Sequence, residues 1–389
     1  MKMHRLRKTW LQIHRWLGVW IGLLFALVGL TGSLLVFDHA IDEWLNPELL
    51  LTKGNGSRRP LTDVVRAAEQ YYAPPEKTAF SVNRPRVPNG VWTVWFVEGS
   101  AHDRKFVAVY VDPYTAQVTG RRVWGEDLMS GIYNLHFRLM AGRPGGIIVG
   151  LIGCCLLLSI ATGLWLWWPL WKRSWRAAFA VRRGRLLNFD IHKVVGTISS
   201  AFLVTLAFTG VYMEFPGLFK KIVTSVAPLS HPPEGLQSTR QEGNEPISPD
   251  AAVAIAQQRF PNAQFDHLHL PTDDDGVYEV ALRQPDEIQE SFGRTQVFID
   301  QYDGSILAVY QPADYTAADA FFAWQFPLHN GEAFGLVGRW FVLVAGLTPS
   351  ILYVTGIAIW WRKSRTAKQR MTPNPTGERS SAIDKAAVA

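Results

Sequence analysis

Four long apolar stretches punctuate the chain, at about Leu11–Phe37, Ile147–Trp168, Val194–Met213 and Phe341–Trp361. Crossing about 30 Å of hydrocarbon takes roughly 20 helical residues, so each stretch is long enough for one membrane-spanning helix. Two long polar segments separate the first stretch from the second and the third from the fourth. Each begins with a helix-like run, Leu61–Tyr72 and Ser248–Arg259. Each continues in alternating β-branched and aromatic residues, such as Val91–Val97 and Val277–Leu282, the period of half-buried strands. Each closes on a strand and a turn, Val109–Tyr114 with Asp112-Pro113 and Val297–Gly304 with Asp303-Gly304. The expected fold is membrane α-helical, with four transmembrane helices and two α+β domains outside the bilayer.

Charge orients this plan. Lys2, Arg5, Arg7 and Lys8 precede the first span, and Arg362, Lys363, Arg365, Lys368 and Arg370 follow the fourth. The short link between spans two and three carries Lys172, Arg173, Arg176, Arg182, Arg183, Arg185 and Lys193. Positive residues in short loops mark the cytoplasm. Both termini are therefore expected inside and both domains outside, in the periplasm of a bacterial inner membrane. The expected divisions are 1–9 inside, 10–37 span one, 38–135 outer domain one, 136–171 span two and 172–189 basic loop. They continue as 190–214 span three, 215–328 outer domain two, 329–362 span four and a disordered cytoplasmic tail, 363–389. The first span has the basic start of a signal peptide. Its apolar region is too long and no A-x-A site comes before Asp38, which predicts a retained helix.

Composition agrees. Of 389 residues, 48% are hydrophobic and 19% charged, too little charge for a wholly soluble chain and too much for one wholly in lipid. The net charge of +6 sits beside apolar runs, which points to the membrane surface and not to nucleic acid. Cys154 and Cys155 are adjacent, which excludes a disulfide framework, a C-x-x-C metal site and covalent c-type haem. No P-loop and no G-x-G-x-x-G after a strand occurs, so any electrons come from a separate donor.

The chain also repeats itself. His14 is followed by Arg15, Gly18 and Thr31-Gly32, and His192 by Lys193, Gly196 and Thr209-Gly210, at the same offsets. His136 is followed by Gly142, Gly145, Gly153, Thr162-Gly163 and Trp167-Trp168. His329 is followed at the same offsets by Gly335, Gly338, Gly346, Thr355-Gly356 and Trp360-Trp361. Four histidines thus stand in matched pairs near span ends. A single interfacial histidine is ordinarily a plain polar residue; matched pairs facing a helix bundle are functional candidates. Topology pairs His14 with His192 on the inner side and His136 with His329 on the outer side. Two imidazoles facing each other suit bis-His ligation of haem b, with Arg15 and Lys193, or Arg138, Arg143 and Arg339, available for propionates. The glycines let backbone approach a flat ring or simply pack helices. Zinc is the competing metal, disfavoured by two ligands per side and no nearby cysteine. His39 lacks a symmetry partner and is a lesser candidate for the outer side. His267 and His269 alternate on a predicted strand and read as structural.

The segments IHRWLGVWIGL, DEWLNP, VDPYTAQVTG, LHFRLMAG, ATGLWLWWP, FDIHKVVG, FPLHNGEAFGLVGR and VTGIAIWWR resemble the PepSY-associated transmembrane family of iron-regulated bacterial proteins. The resemblance covers about residues 8–365. Within that family it is to inner-membrane reductases of ferric siderophores of the ferrioxamine type. It implies two b haems on His14, His136, His192 and His329 and PepSY outer domains; the electron donor stays open between a quinol and a flavin reductase. A siderophore permease and a non-catalytic PepSY regulator remain as alternatives. Asp190 and Glu214 lie only at span edges, which argues against a coupling-ion permease.

Overall fold

The structure is a computed structural model and describes residues 2–72, 79–99, 104–230, 232–240 and 245–371. In chain order the elements are α1 (Lys2–Trp20), α2 (Gly22–Leu35), α3 (Asp38–Leu45), α4 (Pro47–Leu50) and α5 (Leu61–Tyr72). Strands β1 (Ala79–Asn83), β2 (Trp92–Glu98), β3 (Lys105–Val111) and β4 (Val118–Val123) follow. Then come α6 (Leu128–Arg138), α7 (Gly142–Arg173), α8 (Trp175–Phe179), α9 (Leu187–Glu214), α10 (Pro216–Thr224) and α11 (Pro249–Arg259). The chain continues with β5 (Gln264–His269), β6 (Val277–Arg283), β7 (Thr295–Asp300), β8 (Ile306–Tyr310), α12 (Ala317–Asn330) and α13 (Gly335–Met371).

The described residues form two compact units, one from those within 2–29, 154–204 and 345–371, the other from those within 30–153 and 205–344. Among the described residues, the first unit is helical. Three helical stretches, Gly142–Arg173, Gly184–Glu214 and Glu332–Arg365, are long and apolar enough to cross a membrane. They carry Leu158, Trp165, Ile198, Phe202, Ile351 and Val354 exposed, side chains that water would not favour and lipid would. The first predicted span is not one straight helix. Its halves, Arg5–Trp20 and Gly22–Leu35, meet at 58°, and only taken together do they make a fourth span. The break falls at Ile21, where the Tyr353 ring lies against Gly22.

The second unit holds an eight-stranded antiparallel sheet in the order β4-β3-β2-β1-β5-β6-β7-β8. The two segments expected as separate domains share this one sheet. Strands β1 and β5 pair antiparallel, with Ser81 opposite His269, Val82 opposite Leu268 and Asn83 opposite His267. Each strand would otherwise leave a row of backbone donors and acceptors bare, and pairing them removes that exposure. The helical runs and strands read from the sequence appear as α5, α11, β2, β3, β6 and β7. On α5, Leu61, Val64, Val65 and Ala68 are buried, the i, i+3, i+4, i+7 stripe of a helix facing a core. α11 buries Ala252 and Ala256, one turn apart. Its own start is capped by Ser248, whose hydroxyl accepts from the Ala251 N–H ahead of Pro249. Asp250 reaches across to accept from the Leu61 and Thr62 N–H groups at 2.7 and 2.8 Å, so one helix caps the other.

Phe96 is fully buried at the heart of this layer, among Val82, Val94, Val107 and Val109. Phe96→Ala is expected to destabilise the unit by about 3–5 kcal/mol, from lost transfer energy and the cavity left behind. Thermal unfolding in detergent measures it; an unchanged midpoint would mean that the sheet does not limit stability.

Other boundaries move. His136 and His329 do not begin the long helices. They sit near the C-terminal ends of the shorter helices α6 and α12, which turn into α7 and α13 through left-handed residues, Leu139, Met140 and Gly142 in one and Gly331 and Gly335 in the other. Of the expected disordered tail, residues 363–371 continue α13, and 372–389 lie outside the described residues.

Candidate functional site

The four matched histidines come together in the pairs the topology argument named. In the first unit the rings of His14 and His192 are 6.1 Å apart between centres, with their planes at 88°. In the second unit His136 and His329 are 6.2 Å apart, with planes at 59°. All four are half-buried.

The geometry adds a feature the sequence held without explaining it. Each histidine meets a Thr-Gly pair. His14 Nδ1 lies 3.1 Å from Thr162 Oγ1 and 3.0 Å from the Ser159 carbonyl, and His192 Nδ1 lies 3.0 Å from Thr355 Oγ1. His329 Nδ1 lies 2.8 Å from Thr209 Oγ1, and His136 Nδ1 is 3.2 Å from Thr31 Oγ1. The exchange is reciprocal within each half of the chain: His14 and His136 each meet the threonine that follows the other, as do His192 and His329.

These bonds set the tautomer. Thr162, Thr209 and Thr355 each donate their hydroxyl hydrogen to a carbonyl one turn back, Leu158, Thr205 and Ile351, at 2.7–2.9 Å. Their oxygens are left to accept, so Nδ1 of His14, His329 and His192 carries the proton and donates it. That places the lone pair on Nε2. Metal-binding histidines ordinarily donate their second nitrogen in this way, which fixes ring orientation. The glycine after each threonine makes room for the ring: a Cβ at Gly32 would stand 2.8 Å from His136 Cε1, and one at Gly163 3.1 Å from His14 Cε1. Gly210 and Gly356 also face His329 and His192, but a Cβ there would stand 3.4 Å from Cε1, an ordinary contact.

Two neutral imidazoles can bind one metal ion from opposite sides. Bonds of about 2 Å on each side, with roughly 1 Å from nitrogen to ring centre, put ring centres roughly 6 Å apart. Both pairs have that spacing. A structural zinc site takes four protein ligands. Among the described residues no group of three or more His, Cys, Asp or Glu is placed to hold a metal.

The basic residues fare differently. Lys193 is not available to an anionic ligand. Its ammonium donates to Ala177 O, Ala180 O and Asp190 Oδ1 at 3.0–3.1 Å, which uses all three hydrogens, two on carbonyls and one on a buried carboxylate that Arg182 also grips. Arg15 is exposed and lies over the Trp16 ring at 5.0 Å. Arg138 is exposed over Phe137, and Arg143 is exposed. Arg339 donates to the Val36 carbonyl at the end of α2. His39 pairs with Asp38 at 3.6 Å and not with a second imidazole. His267 and His269 alternate on β5 and are half-buried, and His267 Nδ1 bonds Asp266 at 2.9 Å.

Long apolar helices joined to a water-facing sheet define a membrane protein with soluble domains. More narrowly, the chain belongs to the family described as the PepSY-associated TM region, whose model matches residues 11–363. It is also similar to an uncharacterized protein of Pseudomonas aeruginosa, at 34% identity over 105 residues. The match spans 26% of this chain and 25% of that relative.

Proposed function

We propose that this protein carries electrons across a bacterial inner membrane on two b haems and reduces ferric siderophores at the periplasmic face, releasing ferrous iron. The observation that carries this reading is the pair of facing imidazoles, His14 with His192 and His136 with His329, each held through Nδ1 with Nε2 as the remaining nitrogen. In this reading the chain crosses four times, the bent α1–α2 pair counting as one span, and it is a tandem repeat of one span–domain–span plan. The basic segments face the cytoplasm with both termini, and the sheet lies in the periplasm.

The chain's own residues would then do three things. The histidines bind through Nε2. Thr162, Thr209 and Thr355 hold their rings in place by accepting at Nδ1–H, Thr31 lies against His136 Nδ1, and the glycines beside them keep the ring close to backbone. Haem would supply one-electron transfer, with potential set by axial ligands, burial and hydrogen bonding. Iron(III) is held tightly by oxygen-rich hydroxamates and iron(II) weakly, so one electron suffices to loosen the metal. No acid–base or nucleophilic side chain is needed for that step. The donor would be a quinol or a flavin reductase.

The absorption spectrum of the purified protein tests this. A Soret band, with sharp α and β bands on dithionite reduction, is the expected result. Colourless protein from haem-replete cells would overturn it and leave a permease or a non-catalytic PepSY partner-binding protein.

A further inference from the structure

In the second unit a cavity of about 640 Å³ opens where the β1–β2 loop meets the starts of α5 and α11. It is lined by four arginines, Arg58, Arg59, Arg84 and Arg86, and by one acid, Asp250. That acid is already committed. Its two oxygens accept from Leu61 N, Thr62 N and the Thr62 hydroxyl, at 2.6–2.8 Å. The arginines are under-matched by comparison. Arg59 pairs with Asp63 at 2.8 Å, and Arg84 comes no nearer than 3.6 Å to Asp266. Among the described residues Arg58 and Arg86 make no ion pair. Asp38, Glu43, Asp266 and Glu332 attract Arg86 only at longer range. Trp92 and Phe265 add an apolar wall, with ring centres 6.2 Å apart.

Guanidiniums gathered around one hollow repel each other, and an oxyanion that bridges them reverses the sign of that interaction. Arginine's fork of donors matches carboxylate and phosphate oxygens in pairs. We propose that this cavity binds a small multivalent oxyanion, with its uncharged part against Trp92 and Phe265. The proposal does not depend on haem in the histidine pairs.

Isothermal titration calorimetry of the full-length protein in detergent, with citrate and separately with inorganic phosphate at low ionic strength, tests it. Saturable binding at one site per chain, weakened by added salt, is expected for at least one of the two anions. Citrate alone would assign a carboxylate ligand and phosphate alone a phosphorylated one. Arg58→Ala with Arg86→Ala should weaken binding tenfold or more. Gln257→Glu, on the exposed face of α11 at the rim, adds a negative charge without disturbing the core and should weaken it as well. No saturable binding of either anion overturns the proposal, as does unchanged affinity in Gln257→Glu and in the double variant. Should the double variant not fold, Gln257→Glu decides.

Discussion

His329→Ala is expected to lower haem content from about two per chain to about one, because bis-His ligation needs both nitrogens. His136→Ala should give the same loss, and neither should touch the group between His14 and His192. The converse holds for His14→Ala and His192→Ala. The pyridine haemochrome of each purified variant measures the ratio. Thr209→Val separates ligation from support. It keeps both imidazoles and removes the acceptor 2.8 Å from His329 Nδ1. Loss of such a partner ordinarily costs ten- to a hundredfold in metal affinity, so content should stay near two in excess haem and fall on dilution. If one substitution empties both sites while the protein still folds, the pairing is wrong.

The second large effect is on turnover. Dithionite-reduced protein, freed of excess reductant, is expected to be reoxidised by ferrioxamine, with ferrous iron captured by a chelator. His136→Ala and His329→Ala should slow this by tenfold or more while the remaining haem stays reducible. The balance is one electron out of the protein for each iron(III) that becomes iron(II), and the iron trapped should equal the electrons lost. Reduced protein that keeps its ferrous spectrum in excess ferrioxamine would remove siderophore reduction from the account and leave the histidine pairs as a relay to another acceptor.

Much of the second unit was legible because its signals are local. The alternation in Val91–Val97 and Val277–Leu282 and the helical runs at Leu61 and Ser248 each depend on neighbours in sequence. That both segments would enter one sheet was not legible. Pairing of Val82 with Leu268 joins residues far apart in the chain, and no local pattern specifies it. The bend at Ile21 was hidden too, since the apolar run through it is unbroken in sequence. The histidines stood out by repetition, yet so did the threonines. Thr31, Thr162, Thr209 and Thr355 repeat at fixed offsets and were visible throughout. Their role depends on which helix each one faces, and that is a tertiary fact. Lys193 misled because its position beside His192 ignored Asp190 one turn earlier, which takes its charge.

The joined sheet also bears on how the protein fails. A pair of four-stranded sheets would present four bare edges; one sheet of eight presents two, β4 and β8. Open edges are where chains recruit strands from one another and precipitate. β4 is guarded by the exposed Arg121, whose charge resists a second strand, while Arg122 is spent on Asp42. β8, Ile306-Leu307-Ala308-Val309-Tyr310, carries no charge at all. Aggregation of this protein during extraction or storage would therefore start from the β8 side, and a lysine placed at the exposed Ile306 is the natural safeguard.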